Sequence, residues 1–208
     1  MSQLLQIHPQ NPQPRLVRQV GDILRAGGVI ACPTDSCYAL GCGMAQPGAL
    51  ERIRRLRNVE DDHNLTLLCR DLSELSTYAK VDNAAYRALR AHTPGPYTFI
   101  LNATREVPRR LQHAKRKTIG LRVPETPMVS ALLMELGEPM MSVTLFLAGE
   151  TLPPVDSEEI YERLGRDVDV VIGAGDCGFD PTSVIDLTGP DYTVLRRGRG
   201  DVSAFDSR

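Results

Sequence analysis

The sequence lacks the spacings that disulfide frameworks and protein-built metal sites require. Its five cysteines are odd in number and contain no C-x-x-C pair, and its four histidines show no H-E-x-x-H or H-x-x-x-H spacing. This pattern argues against a disulfide scaffold, a zinc ribbon and a histidine metal site. We therefore expect reduced thiols, with Cys37 and Cys42 on a half-buried strand or turn, and no metal held by protein ligands.

Long apolar runs are also absent. No run approaches the length of a membrane-spanning helix, and the amino-terminal segment has no basic region followed by a long apolar region. We therefore expect a cytoplasmic protein without membrane contact. The 208 residues are 42% hydrophobic and 24% charged, which is typical of a globular protein with a substantial core. The formal net charge of -2 gives no overall attraction to nucleic acid, so any polyanion site depends on local basic clusters.

Common phosphate-binding motifs are missing or out of context. No G-x-x-x-x-G-K-[ST] run occurs, so ATP, if bound, is not held by a Walker loop. A G-x-G-x-x-G pattern occurs at residues 173–178, but Phe179-Asp180-Pro181 follows it where a dinucleotide-binding fold would begin a helix. We interpret this pattern as a turn.

Helical and strand patterns alternate along the chain and predict an α/β (α+β) fold. Helices are predicted at residues 16–24, from 47 onward, and at 71–75, 83–89, 128–136 and 157–164. About eight strands are predicted, at residues 29–32, 65–69, 97–101, 119–123, 140–144, 168–172, 183–187 and 193–195. Two strands lie between residues 99 and 123 with no helix between them, so hairpins are mixed with crossovers. We expect one domain over residues 1–208, built on a twisted mixed parallel and antiparallel sheet with flanking helices.

The most informative stretch is Pro33-Thr34-Asp35-Ser36, which follows a buried strand and places small polar side chains in apolar surroundings. Such groups need hydrogen-bond partners, which are either the backbone of a turn or a ligand. The run at residues 28–42 resembles the PTDTVYGLG signature of the YrdC/YciO family, with Ala39 in place of a glycine.

The resemblance continues in order over residues 14–200. Residues 53–57 stand where the family has a helix that ends in K-x-R. Residues 93–101 resemble its PGPxTxIL segment, residues 117–124 its TVGVRVP segment, and residues 181–186 and 194–198 its closing STVVD and VLRxG segments. Each motif is weak alone, but their common order makes coincidence improbable. The resemblance implies a YrdC/YciO-like fold with a concave basic groove.

The family's activity implied for this chain is that of an L-threonylcarbamoyladenylate synthase in tRNA t6A modification. The substrates are ATP with Mg²⁺, bicarbonate and L-threonine; no cofactor is tightly bound, and a downstream threonylcarbamoyl transferase is the implied partner. Fixed arginines and hydroxyls suit such adenylyl transfer. The resemblance assigns catalysis to Arg55, Arg57 and Arg122, ATP binding to Arg55, Thr144 and Arg196, and L-threonine binding to Thr34, Thr118, Arg122, Ser142 and Thr182. The alternatives are a surface ion pair for each arginine and a backbone hydrogen bond for each hydroxyl.

Departures from the synthase pattern favour the YciO branch and an alternative function. Arg55 replaces the lysine of K-x-R, Phe146 replaces an asparagine of the family's PLxAPSANxSG segment, and residues 58–64 form a longer loop with three added carboxylates. The alternative is a protein that binds double-stranded RNA or tRNA with weak or no synthase activity. Its RNA contacts would come from the densest basic stretch, which is otherwise a solvated loop: Arg109, Arg110, Lys115, Arg116 and Lys117.

Overall fold

Strands and helices alternate along the chain in the computed structural model, which describes residues 2–58, 65–175 and 177–206. Within these ranges the strands are β1 (Gln3–Gln6), β2 (Val29–Pro33), β3 (Tyr38–Gly43), β4 (Thr66–Leu68), β5 (Tyr97–Asn102), β6 (Thr118–Arg122), β7 (Met140–Thr144), β8 (Val170–Gly173), β9 (Ser183–Asp186) and β10 (Thr193–Arg196). The helices are α1 (Pro14–Arg25), α2 (Pro47–Arg57), α3 (Leu72–Tyr78), α4 (Asn83–His92), α5 (Pro127–Leu136) and α6 (Ser157–Leu164). Short 3-10 turns lie at Arg109–Leu111 and Ser203–Phe205.

The local sequence explains where the helices begin. α1, α2 and α5 each begin with a proline, which suits the first helical position because an N–H there would have no partner within the helix. α3, α4 and α6 each follow an aspartate whose carboxylate accepts hydrogen bonds from N–H groups of the first turn: Asp71, Asp82 and Asp156. These caps satisfy backbone donors that the helix itself leaves unbonded.

The ten strands form one mixed sheet in the order β1-β8-β2-β3-β7-β4-β6-β5-β9-β10. Four neighbouring pairs are parallel: β1/β8, β2/β8, β4/β6 and β5/β9. The other five are antiparallel: β2/β3, β3/β7, β4/β7, β5/β6 and β9/β10. The predicted mixture of hairpins and crossovers is therefore confirmed, including the helix-free antiparallel connection from β5 to β6.

The two faces of the sheet carry different side chains, as strand β7 shows. On β7, Met141 and Val143 belong to the larger hydrophobic cluster, while Met140 points to the other face and joins a smaller cluster with α1 and α5. Side chains alternate between faces along a strand, so Ser142 and Thr144 follow Met140 on that second face. This face is thus apolar beneath α1 and α5 and polar beyond them.

Two strands went unpredicted. β1 contains only Gln-Leu-Leu-Gln, and its pairing with β8 forms the strand. β3 contains Gly41 and Gly43 and few residues that favour strands, yet it lies between β2 and β7 and pairs with both. β1 and the buried Phe205 extend the sheet and core beyond residues 14–200.

The glycine-rich segment that begins at Gly173 lies at the end of strand β8. Gly173 ends β8, Gly175 has a left-handed backbone (φ 75°), and no described residue between Gly175 and β9 is helical, which agrees with the turn interpretation. None of the helices in the described ranges is long and apolar enough to cross a membrane.

Candidate functional site

A cavity of about 210 Å³ lies on the polar part of the second sheet face. Strands from both halves of the chain and the end of α2 contribute to its wall. Residues that the sequence assigned to ATP, threonine or catalysis line it together: Thr34, Arg57, Arg122, Ser142, Thr144, Thr182 and Arg196. The order of the strands in the sheet therefore gathers motifs that are far apart in the sequence.

The loop between β2 and β3 forms one wall of the cavity. The Thr34 hydroxyl donates to the carbonyl oxygen of Cys37 at 2.7 Å and accepts a hydrogen bond from the Ser36 N–H at 3.2 Å. Thr34 and Ser36 are both buried. The backbone of the turn therefore provides hydrogen-bond partners for the Thr34 hydroxyl, which is one of the two alternatives that the sequence left open. The same side chain also faces the cavity.

Arg122 is held in place by an ion pair at the end of β6. Its Nη2 group donates to a carboxylate oxygen of Asp35 and, at 3.4 Å, to the Thr34 hydroxyl. The second oxygen of Asp35 accepts the N–H of Glu125 at 3.1 Å. The buried Nε of Arg122 has no hydrogen-bond partner among the described residues. Asp35 stands in the quoted P-T-D-S motif, but sequence reasoning gave it no role.

Arg196 also lines the cavity, at the end of β10. A register shift between Val194 and Arg196 interrupts the pairing with β9, and such bulges re-aim side chains. The Arg196 guanidinium donates from Nε to the Thr182 carbonyl at 2.9 Å and from Nη2 to the Thr182 hydroxyl at 3.1 Å. The Thr98 and Thr182 hydroxyls are 2.8 Å apart. Thr98, a lining residue inside the quoted PGPxTxIL match, was missed as a site residue.

Arg57 approaches the cavity from the end of α2. Its guanidinium carbon lies 4.7 Å from the centre of the Phe146 ring, and its Nε is buried without a hydrogen-bond partner. Burial lowers the pKa of Arg57, and it is also the main cause that lowers the pKa of Arg196. Among the described residues, neither arginine pairs with a carboxylate, whereas Arg122 does.

Two predicted site residues lie outside the cavity wall. Arg55 is exposed, because it precedes Arg57 by two residues and successive helical residues turn by about 100°. Thr118 is buried on β6 with an unpartnered hydroxyl, four residues and about 13 Å along the strand from Arg122. Their contacts with ATP and L-threonine stay predictions that this cavity does not itself explain.

The basic stretch proposed for RNA binding is exposed at each of its five positions, Arg109, Arg110, Lys115, Arg116 and Lys117. Part of it is engaged with the protein itself. Arg110 donates to the Met44 carbonyl at 2.9 Å, and Arg116 lies 3.8 Å from a carboxylate oxygen of Asp186. A second, open concavity of about 930 Å³ is lined by four basic side chains of this region: Lys80, Arg105, Arg109 and Lys117.

The cysteine and acidic side chains bear on whether the protein holds a disulfide or a metal ion. The five cysteines, all among the described residues, form no disulfide. Cys37 lines the cavity, and burial raises the pKa of its thiol. Within residues 2–58, 65–175 and 177–206, no group of three or more histidine, cysteine or acidic side chains could hold a metal ion. The three carboxylates of the 58–64 loop lie outside the described residues.

Comparison with known proteins adds independent information. The chain is 56% identical to the uncharacterized protein YciO of Escherichia coli over 205 residues, which are 99% of this chain and 100% of that protein. The crystal structure of E. coli YciO superposes with a TM-score of 0.95 over 99% of this chain and 100% of its own.

Two further relatives are less similar in sequence. The chain is 30% identical to the threonylcarbamoyl-AMP synthase of Vibrio vulnificus over 159 residues, 75% of this chain and 84% of that enzyme. The structure of P. abyssi Sua5 complexed with L-threonine has a TM-score of 0.86 at 22% identity, covering 95% of this chain and 58% of its own, which shows a shared fold. The family model for Sua5, YciO and YrdC proteins, described as "Telomere recombination", matches residues 22–198. The chain therefore belongs to the Sua5/YciO/YrdC family.

Proposed function

We propose that the chain binds ATP and L-threonine in this cavity and forms threonylcarbamoyl adenylate with bicarbonate. The observation that carries the proposal is the charge of the wall. Three guanidinium groups line one cavity, and only Arg122 has a carboxylate partner among the described residues. The described residues of the wall therefore carry an excess of about two positive charges, which a nucleotide polyphosphate or a carboxylate would neutralise.

The different contacts of the three arginines support a division of tasks among them. Arg122 and the Thr34 and Ser142 hydroxyls, all in the cavity wall, suit a zwitterionic amino acid. Arg57 and Arg196 keep their charge for the phosphates of Mg-ATP. In the reaction, an oxygen of the threonine carbamate attacks the α-phosphorus, and the bond from that phosphorus to pyrophosphate breaks. Fixed guanidinium groups stabilise the negative charge that develops on the phosphoryl oxygens.

The relatives support this reaction class without fixing the substrate. The V. vulnificus synthase shares 30% identity with 75% of the chain, and the P. abyssi relative was crystallised with L-threonine. For this chain we propose ATP, bicarbonate and L-threonine as substrates and a threonylcarbamoyl transferase acting on tRNA as the partner that takes the product. The proposed location is the cytoplasm.

A second candidate is binding of tRNA or double-stranded RNA with weak or no synthase activity. The observation that favours it is the open concavity lined by Lys80, Arg105, Arg109 and Lys117. A concave basic surface suits phosphate backbones. Phe146 in the cavity wall, where synthases carry an asparagine amide, also favours it because an amide that could contact phosphate is missing.

The deciding experiment is formation of labelled threonylcarbamoyl adenylate and pyrophosphate from ATP, Mg²⁺, bicarbonate and L-threonine by the purified chain. Arg196→Ala tests the cavity, and Arg18→Ala is the matched control because Arg18 is an exposed arginine on α1 outside the wall. We expect kcat/KM to fall about 100-fold in Arg196→Ala and to stay within about twofold in Arg18→Ala. Absence of threonine-dependent adenylate would contradict the synthase proposal; salt-sensitive RNA binding by the same sample would then favour the second candidate.

A further inference from the structure

Phe146 and Arg57 form a contact that the synthase pattern does not contain. The Arg57 guanidinium carbon lies 4.7 Å from the centre of the Phe146 ring, and both side chains line the cavity. A cation over the face of an aromatic ring is attracted by the negative charge density of that face, more strongly when water is partly excluded. Arg57 is half-buried, which meets that condition.

The backbone fixes the position of the ring. Phe146 lies between Leu145 and Leu147, which are 1% and 3% exposed. The Leu145 N–H also donates to the Tyr38 carbonyl at 2.9 Å. The two leucines therefore anchor the segment after β7, and Phe146 is directed toward the cavity.

The three cationic side chains of the cavity are held in different ways. Asp35 holds Arg122 through a carboxylate, and Thr182 holds Arg196 through a carbonyl and a hydroxyl. Arg57 has neither kind of partner among the described residues, and its buried Nε is unbonded. A carboxylate would neutralise the guanidinium, and an oxygen partner would occupy its N–H groups. An aromatic face restrains the cation and leaves those groups to a ligand.

We propose that Phe146 is a positioning residue that holds the Arg57 guanidinium ready to donate to a phosphate group bound in the cavity. The inference rests on the proposed function for the identity of the ligand as a nucleotide phosphate. In this chain the aromatic ring stands in the segment where the synthase pattern has an asparagine.

A double-mutant cycle on pyrophosphate binding, measured by titration calorimetry without amino acid or bicarbonate, tests the inference. Pyrophosphate is the probe because the proposed coupling between Phe146 and Arg57 affects phosphate binding and not the chemical step. We expect Phe146→Leu to weaken binding about fivefold and Phe146→Tyr, which keeps the ring, to bind within about twofold of the original protein. In an Arg57→Ala background, Phe146→Leu should have no further effect.

A second measurement uses the absence of tryptophan from the chain. Phe146→Trp would place one fluorophore beside Arg57, and we expect its emission to change when pyrophosphate binds. The change should disappear in Arg57→Ala. Equal weakening by Phe146→Leu with and without Arg57, full affinity in Phe146→Leu, or no binding of pyrophosphate to the unmodified protein would each overturn the inference. A protein that shows the coupling but forms no adenylate would contradict the synthase proposal and leave this inference standing.

Discussion

Arg122 and Asp35 form an ion pair in which both side chains are nearly removed from water, at 7% and 11% exposure. The pair ties the end of β6 to the loop between β2 and β3, two segments that the sequence separates by 87 positions. Because Glu125 also donates to Asp35, the carboxylate is fixed from two sides. The Arg122 guanidinium is therefore in place in the cavity wall before a ligand arrives.

Replacement of Asp35 should destabilise the fold as well as the site. Asp35→Asn leaves the Arg122 charge buried without its counterion, so we expect the free energy of unfolding to fall by about 3 kcal/mol. Urea denaturation at pH 7 measures this loss. The matched control is Asp22→Asn, because the Asp22–Arg25 pair is 67% and 44% exposed and should contribute less than about 1 kcal/mol. Equal effects of the two substitutions would contradict the assignment.

Thr118 provides a test of opposite sign. Its hydroxyl is buried and has no hydrogen-bond partner among the described residues. Thr118→Val therefore removes an unsatisfied polar group at nearly constant volume and should stabilise the protein by about 1 kcal/mol. Thr98→Val, which breaks the 2.8 Å contact with Thr182, should instead destabilise it by about 1 kcal/mol. Thermal denaturation compares the two variants. If Thr118 contacts L-threonine, as the family resemblance implies, Thr118→Val also binds it more weakly; an unchanged affinity speaks against that contact.

Buried thiols should make stability depend on alkaline pH. Burial raises the pKa of Cys42 from 9.0 to about 12, so above pH 9 the unfolded chain loses this proton before the folded protein does. The stabilising contribution is complete below pH 9 and is lost as the pH rises toward 12. Well above pH 9, one such thiol lowers the free energy of unfolding by about 1.4 kcal/mol per pH unit. Urea denaturation between pH 7 and 10.5 should show a shallower decline for Cys42→Ala; identical slopes would count against the prediction.

The RNA-binding candidate predicts a change in salt dependence. Arg109 is exposed and lines the basic concavity. Arg109→Ala should therefore remove about one phosphate contact with tRNA, which makes the plot of log K against log salt less steep by the corresponding amount. Filter binding at several salt concentrations measures the slope. Arg18→Ala, an exposed arginine on α1, is the control and should leave it unchanged. Equal slopes for all three proteins would remove this surface from consideration.

Local patterns in the sequence were sufficient to predict most of the helices and strands. Ser157–Leu164 and Met140–Thr144 match their predicted bounds, because a strong aspartate cap and a β-prone run are local signals. β3 could not be found in this way. Its residues gain strand geometry from β2 on one side and β7 on the other, and those pairings join distant parts of the chain.

The candidate site likewise depends partly on local motifs and partly on contacts between distant parts of the chain. Most residues that the motifs singled out line one cavity, but motif order did not predict that Arg57 lies in the wall while Arg55 is exposed. The rotation along α2 gives the two side chains these different environments. Asp35 and Thr98 stood inside quoted motifs, yet their importance depends on Arg122 and Thr182, which lie 87 and 84 positions away. Such partners become visible only once the strand order is known.

The position of β8 between β1 and β2 in the sheet has a consequence for synthesis on the ribosome. β1 leaves the ribosome early in translation, but its partner strand is made after most of the chain. Until then, β2 presents an open edge on the side where β8 will insert, and an unpaired edge is a site of aggregation. A nascent chain of this protein therefore completes its sheet late, and translation pauses before residue 170 would prolong the exposure of that edge.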